Sequence, residues 1–249
     1  MRRLPSLSIF FPCYNEEQNV ARVVQAALEA APAFADDYEI IVVNDGSRDR
    51  TGEIAEQLAR EQPRVRAVHN RPNLGYGGAV ARGLREARKE WVFFTDGDGQ
   101  FDIRELPLLI ELLDACDVAV GYRRRRADPW HRRVNGVCWT WLVRLLFGLK
   151  VRDIDCAFKL LPRSLVEGLE LRSQGALIST ELLAKAHYAG LRIAEVGVSH
   201  YPRTAGAQTG ASLRVILRAF YELFRLRGHI RGGRLPARSL PQRRDPLDQ

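Results

Sequence analysis

Three oxygen-bearing side chains, Asp96, Asp98 and Gln100, alternate with Gly97 and Gly99 directly after the apolar run Trp91–Phe94. Alternate side chains in an extended segment point the same way, so the three can present oxygens to one side. Carboxylate and amide oxygens suit a hard divalent cation, Mg2+ or Mn2+, far better than zinc. The two glycines let the backbone bend tightly and leave room for a bulky ligand. A second reading is equally open: a polar turn that begins the next helix, with Asp102 as its N-cap. Asp-Gly-Asp alone supports both, so the elements that position it must decide.

Trp91–Phe94 has the aromatic and apolar character of a buried strand. Ser6–Phe11 reads as a first strand halted by Pro12; Tyr14, Asn15, Glu16 and Glu17 follow, and then Val20, Val23, Val24 and Ala27 at helical spacing. Tyr38–Val43 is a second strand ending in Asn44-Asp45-Gly46-Ser47, with a helix through Ile54 and Leu58 after it. Val65–Val68 is a third, and a loop over 71–77 leads into a helix through Val80 and Leu84. Beyond Trp91–Phe94, a helix is predicted over Asp102–Leu113 with Pro107 near its first turn, then strands at Val118–Val120 and Phe158–Leu161. Strands and helices alternating at this length predict an α/β fold, a mostly parallel central sheet with helices on both faces. Ligands of such sheets bind beyond the carboxyl ends of the strands. Pro12–Glu16, Asn44–Asp49 and Asp96–Gln100 each follow a strand directly, so three loops distant in sequence should converge on one crevice.

The glycine-rich stretch Gly75-Tyr-Gly-Gly-Ala-Val is not a dinucleotide fingerprint, because Val80 stands where the third glycine would fall and no short strand-to-helix turn precedes Gly75. It reads as a loop-to-helix entry that either lines a nucleotide pocket or is purely structural.

Among 249 residues no composition break separates two domains, which predicts one domain over 1–210, a helix over 211–228 and a disordered basic tail over 229–249. No apolar stretch approaches the roughly 20 residues of a membrane span, and no leader-like run opens the chain; the expectation is a cytoplasmic protein. The net charge of +8 is concentrated: nine arginines and three acids after residue 213 contribute +6 of it. A nucleic-acid-binding domain would spread basic residues over a face with aromatics between them, so no nucleic-acid partner is expected. Cys13, Cys116, Cys138 and Cys156 are far apart and form no Cys-x-x-Cys pair, which indicates free thiols rather than zinc or disulfides.

Read together, Pro12-Cys-Tyr-Asn-Glu-Glu, Val43-Asn-Asp-Gly-Ser, Asn73-Leu-Gly-Tyr-Gly-Gly-Ala, Asp96-Gly-Asp-Gly-Gln-Phe, Gly121-Tyr-Arg, Asp153-Ile-Asp-Cys-Ala-Phe-Lys and His200-Tyr-Pro-Arg occur in an order that resembles family 2 glycosyltransferases. More narrowly, the chain is similar to the dolichol-phosphate mannose synthase group, which moves a sugar from a nucleotide to a polyprenyl phosphate. The resemblance covers about residues 5 to 210. It implies a GT-A type nucleotide-sugar-binding fold and a metal-dependent, inverting transfer, with a saccharide or other hydroxyl acceptor as the alternative. It also implies the site residues. Pro12, Tyr14, Glu16, Val43, Asp45, Asp96 and Gly97 would contact the donor, and Asp96, Asp98 and Gln100 would hold Mg2+ or Mn2+ against its diphosphate. Arg123, Arg132 and Arg203 would clamp phosphate, and Asp98, Asp153 and Arg123 would carry the chemistry. With a hydroxyl acceptor Asp153 would be the base; with a phosphate it would orient groups, and Asp155 falls at a variable position. Two residues depart from the family pattern: Asn44 replaces the first of two aspartates, and Ala157 replaces glycine.

Two segments bear on membranes. His131–Lys150 carries apolar residues around most of a helix, with Trp139 and Trp141 among them, as in a helix that is buried or laid into a lipid interface. After Gly210, Ser212 can cap a helix with Leu213, Ile216, Leu217, Phe220, Leu223 and Phe224 in one stripe and Arg214, Arg218 and Arg225 off it. It reads either as a basic amphipathic helix on an anionic membrane or as an edge helix packed on the domain. With a lipid-phosphate acceptor, the expectation is peripheral association with the cytoplasmic face.

Overall fold

The computed structural model describes residues 2–124, 130–173, 175–203 and 222–230, with the side chains of 130–135 outside that description. Seven strands form one sheet: β1 (Leu4–Cys13), β2 (Ala35–Asn44), β3 (Val65–His69), β4 (Trp91–Thr95), β5 (Val118–Arg123), β6 (Phe158–Pro162) and β7 (Ile193–Val198), in the order β3-β2-β1-β4-β6-β5-β7. β6 runs antiparallel to both neighbours, and every other pairing is parallel.

The central strands are apolar on both faces, as a doubly covered sheet requires. Phe10, Ile41, Val43 and Phe94 point into one core layer with α3 (Gly75–Glu86), α5 (Trp130–Phe147) and α7 (Leu177–Tyr188). Ile9, Phe11, Ile40, Val42 and Phe93 point into the other with α1 (Val20–Phe34) and α4 (Leu106–Ile110). α2 (Thr51–Glu61) and α6 (Arg163–Gly168) complete the helices that connect strands.

Several boundaries differ from expectation for physical reasons. β1 does not stop before Pro12 but runs through it to Cys13, with Pro12 opposite Val43. Pairing with β4 ends at Phe10, so a proline just beyond has a free side on which its missing N–H costs no ladder bond. The helix expected over Asp102–Leu113 is broken into a 3-10 turn (Ile103–Glu105), α4 and a second 3-10 turn (Glu111–Asp114). Asp102 does cap its start by accepting from the Arg104 N–H at 3.0 Å.

The helix expected over 211–228 falls mostly outside the described residues. Of it, 222–230 is helical, and Leu223, Leu226 and Ile230 are buried in the same core layer as α5 while Phe224 faces out. That stretch packs on the domain as an edge helix, with its buried stripe rotated from Leu223–Phe224 to Leu223–Leu226–Ile230. No helix among the described residues is long and apolar enough to cross a membrane.

Candidate active site

The parallel strands all present their carboxyl ends at one edge of the sheet, so the loops after Cys13, Asn44, His69, Thr95, Arg123 and Val198 meet there. β6 delivers its amino end to the same edge because it is reversed: Thr95 pairs with Phe158, which places the 153–157 lead-in beside Asp96. The expected convergence of three loops is therefore joined by four further segments.

Tyr14 stands half-buried just past β1, and Asn15 takes a positive φ of 56° as the chain turns toward α1. Glu16 is anchored by its N–H, which donates to Thr51 Oγ1 at 2.7 Å. Its carboxylate accepts from Asn19 Nδ2 at 2.8 Å and from Arg203 Nη2 at 2.5 Å. Asp45 is held from the β3–α3 side: Oδ1 accepts from Asn70 Nδ2 at 2.8 Å and from the Leu74 N–H at 2.9 Å, and its carbonyl accepts from Asn73 Nδ2 at 2.6 Å. Asn44, the departure from the family pattern, closes an Asx turn on the Ser47 N–H at 3.1 Å and bonds His69 Nδ1 at 2.9 Å. Val43, also among the expected donor contacts, has its side chain fully buried in the core, so only its backbone at the end of β2 is placed to meet the crevice.

Gly97 is required by close approach. A Cβ there would lie 2.4 Å from Cys13 Sγ and 3.3 Å from the Pro12 carbonyl, so any side chain would push the turn off the end of β1. Asp96 is half-buried, and its Oδ1 is sealed from solvent without a hydrogen-bond partner. Burial and then the charge of Asp98 push its carboxyl up to about 7, opposed by a hydrogen bond from the Tyr76 hydroxyl. Asp98 Oδ1 accepts from the Gln100 N–H at 3.0 Å, and Oδ2 lies 3.5 Å from Arg203 Nη1. Gln100 donates Nε2 to the Tyr201 carbonyl at 2.9 Å, which leaves its oxygen as the acceptor.

The donor set fits a hard cation: two carboxylates, one with an orphaned buried oxygen, and one amide oxygen on a glycine-rich turn. The described residues hold no group of three His, Cys, Asp or Glu side chains arranged for a metal. A two-carboxylate set is the arrangement in which Mg2+ or Mn2+ completes its shell with water and substrate phosphate.

Arg123 and Asp153 form a bidentate pair, Nε to Oδ2 at 2.6 Å and Nη2 to Oδ1 at 2.8 Å, with side chains only 12% and 10% exposed. Arg203 reaches the crevice on a strap pinned to the Asp96–Gln100 turn. The Tyr201 N–H donates to the Gln100 carbonyl at 2.8 Å, Ser199 Oγ donates to Glu105 at 2.6 Å, and His200 meets the Phe101 ring edge-on. Arg132 has its side chain outside the described residues.

Four further residues at this edge of the sheet were not among the expected site residues. Asn70 carried no motif signal. Tyr76 lay in a stretch read as a helix entry that either lines a nucleotide pocket or is purely structural. Asp155 has an unpartnered buried Oδ1, and its carboxyl is pushed up to about 6 by burial and then by Asp153. Lys159 is fully buried; its Nζ bonds the carbonyls of Cys156 and Ile154 and Ser179 Oγ, and burial lowers its pKa.

A parallel-dominated sheet whose strand ends carry an acidic, metal-suited turn beside two arginines, each held by a carboxylate, is the architecture of the GT-A glycosyltransferase fold. Residues 8–169 match the model of glycosyl transferase family 2, and the chain belongs to that family.

Among its relatives, the glycosyltransferase AglD of Haloferax volcanii is 36% identical over 207 residues, covering 79% of this chain and 33% of the relative. This chain thus spans about a third of that protein's length. The dodecaprenyl-phosphate galacturonate synthase of Rhizobium johnstonii is 29% identical over 238 residues, covering 91% and 69%. Several relatives bear names of polyprenyl-phosphate sugar transferases. The fold is shared with glucosyl-3-phosphoglycerate synthase of Mycobacterium tuberculosis, solved with Mn2+, UDP and glucosyl-3-phosphoglycerate. That structure aligns with a TM-score of 0.66 at 20% identity, over 92% of this chain and 80% of that one.

Proposed function

We propose that this protein transfers a sugar from a nucleotide sugar to a polyprenyl phosphate, with inversion at the anomeric carbon, at a membrane surface. The observation that carries the reading is the Arg123–Asp153 pair. An aspartate that spends both oxygens on a guanidinium is poorly placed to take a proton from an alcohol, yet well placed to aim that guanidinium at a phosphate. A phosphate acceptor arrives ionised and needs no base.

In this reading Tyr14, Glu16 and Asp45 hold the nucleoside, with Asp45 fixed by Asn70 and Leu74. Asp96, Asp98 and Gln100 hold Mg2+ or Mn2+, which when bound offsets the charge that builds on the leaving diphosphate. Arg123 and Arg203 draw the acceptor phosphate to the sugar's far face, and Arg132 is assigned with them. One phosphate oxygen attacks the anomeric carbon as the bond to the nucleotide breaks, so the configuration inverts. Relatives named for polyprenyl-phosphate substrates support the acceptor class, and a neighbouring fold solved with Mn2+ and UDP supports the donor and ion.

The membrane contact falls on α5. Val143, Leu146 and Phe147 are buried, whereas Val137, Trp141 and Leu145, one helical turn apart, are 65%, 63% and 64% exposed. An outward apolar stripe with a tryptophan suits a lipid interface.

The test is transfer of labelled sugar from a panel of nucleotide sugars to a short-chain polyprenyl phosphate, a matched polyprenol and a saccharide, each with and without Mn2+. Label in the organic phase with the phosphate alone is the expected result. Label on the saccharide or polyprenol instead overturns the acceptor assignment.

A further inference from the structure

Asn44 closes the turn that carries Asp45 by accepting the Ser47 N–H on Oδ1 at 3.1 Å. An N–H can only donate, so this bond fixes which side of the Asn44 amide is oxygen. The amide nitrogen therefore faces His69, 2.9 Å from Nδ1. That nitrogen has no acceptor capacity, so Nδ1 is the acceptor and carries no proton. The other ring nitrogen, Nε2, lies 2.9 Å from a carboxylate oxygen of Glu56 and is the donor. His69 is thus set from both sides as neutral imidazole in its Nε2–H form. Gly52 of α2 leaves the room this needs, since a Cβ there would lie 2.7 Å from Asn44 Nδ2.

The bonds continue past Asn44 in two directions. Ser47 Oγ accepts from the Asn15 N–H at 3.0 Å, and Asn15, which lies between Tyr14 and Glu16, accepts from the Arg48 N–H on Oδ1 at 2.8 Å. On the other side, His69 stands opposite Asn44 in the β2–β3 ladder. Asn70, next in the chain, donates its N–H to the Asn44 carbonyl at 2.9 Å and its Nδ2 to Asp45 Oδ1 at 2.8 Å. One imidazole at the edge of the sheet thus braces the loops after β1, β2 and β3.

Resting on the nucleoside contacts assigned above, we propose that His69 is a positioning residue for the nucleotide. As a neutral ring accepting from Asn44 it holds the 44–47 turn, and through Ser47 the Asn15 turn, in the shape that presents Tyr14, Glu16 and Asp45 together. It touches neither the sugar nor the reacting atoms. The sign of its proton dependence follows. A second proton, on Nδ1, sets one N–H against another; the Asn44 amide must then turn its oxygen to the ring and release Ser47, so the turn loosens as pH falls. With aspartate at position 44 the logic inverts. One carboxylate oxygen keeps the Ser47 N–H and the other meets Nδ1, which must now be protonated, so that turn is held by imidazolium and loosens as pH rises. Glu56 contacts the ring, and Asp49, Glu53, Arg60 and Arg71 line the same hollow. None of these is a histidine, and histidine is the side chain that ordinarily changes charge near neutrality.

The experiment compares the full chain with His69→Leu, His69→Asn and Asn44→Asp. The His69 side chain is 24% exposed at the end of an edge strand, a place that tolerates substitution. Kd is measured for a panel of nucleoside diphosphates in constant Mn2+ between about pH 5 and 8, and the tautomer is read from the imidazole nitrogen shifts. Wild type should show a protonated Nε2 and a bare Nδ1 at the upper end of that range. His69→Leu should weaken the preferred diphosphate about three- to tenfold, the worth of one neutral hydrogen bond. His69→Asn, whose Oδ1 falls where Nδ1 stood, should restore affinity to within about twofold of wild type. The ratio of the Asn44→Asp Kd to the wild-type Kd cancels the ionisation of the ligand and of Asp96, and it should rise with pH. Three results overturn the inference while wild-type binding leaves the nucleotide site standing: an Nδ1–H tautomer, His69→Leu and His69→Asn binding alike, or a ratio flat with pH. Failure of wild type to bind any nucleoside diphosphate overturns the nucleotide site and the inference with it.

Discussion

Replacing either partner of the Arg123–Asp153 pair should strand a charge, and replacing both should not. The two side chains are about nine-tenths removed from water and share two short bonds, 2.6 and 2.8 Å. Breaking a buried pair by removing one partner typically costs 3–5 kcal/mol, because the survivor stays buried and uncompensated. The crevice edge admits some water, so the lower end applies, about 3 kcal/mol each for Asp153→Asn and Arg123→Met. In a chain of this size that corresponds to a Tm lowered by roughly 6–12 °C. The double variant removes both charges, so its loss should fall short of the sum of the singles by roughly 2–3 kcal/mol. Urea unfolding of the four proteins at one pH and salt measures the cycle. Activity separates the roles. Arg123→Met should abolish transfer, while Asp153→Asn should retain a residue of it, since the aspartate acts through the arginine. Singles that add to within about 0.5 kcal/mol would refute the coupling, and Asp153→Asn as inactive as Arg123→Met would restore the aspartate as a base.

Other perturbations probe the rest of the site. Asp98→Asn should abolish transfer and the extra thermal stabilisation that Mn2+ gives a nucleotide sugar, while leaving sedimentation with anionic liposomes unchanged; a thermal-shift screen and a pelleting assay read the two. Gly97→Ala places a Cβ 2.4 Å from Cys13 Sγ, so it should cost about 1–3 kcal/mol through a forced shift of the turn. Nucleotide affinity should fall with it, and Cys13→Ala in the same chain should recover part of both. The Asp155 carboxyl, moved from 3.8 to about 6, holds its proton more tightly in the folded protein than in the unfolded chain. Its contribution is full below about pH 4 and is lost as pH rises through about 6, an effect of about 3 kcal/mol. The stability of Asp155→Asn relative to wild type should therefore rise by about that much between pH 4 and pH 7, and a pH-independent difference in urea midpoints would refute it.

The first five strands and the loops that follow them were legible because Ile40–Val43 and Trp91–Phe94 are short apolar runs cut off by polar clusters, and doubly covered strands look like that in any context. β7 and α7 gave no such signal. β7 carries Glu195 and Gly197 and is half-buried along most of its length, and α7 is buried almost all round, with Ser179, Thr180 and Glu181 inside, so it shows no stripe. The metal-suited turn was visible as residue types. The partners of its residues were not: Tyr76 reaches Asp96, and Arg203 reaches Glu16, only because loops 20 and 187 residues apart in sequence share one sheet edge. The choice between Asp153 and Asp155 was likewise invisible. The two differ by one intervening residue, and what separates them is that Arg123 pairs with one and not the other.

The antiparallel β6 explains how a donor site becomes a transferase site. Had β6 run parallel, its lead-in would lie at the far edge of the sheet, and Asp153, Asp155 and the lysine-tied carbonyls between them would be remote from the crevice. Reversal brings the start of β6 to the ends of β4 and β5, so Asp153 meets Arg123 at the end of β5 and the 153–157 lead-in runs past the end of β4. Lys159 then anchors that lead-in from within the sheet by bonding the carbonyls of Cys156 and Ile154, three and five residues before it, in place of water that a buried strand cannot admit. In the proposed reading the parallel strands would carry the nucleotide contacts, and the reversed strand would bring Asp153 to the arginine that meets the acceptor.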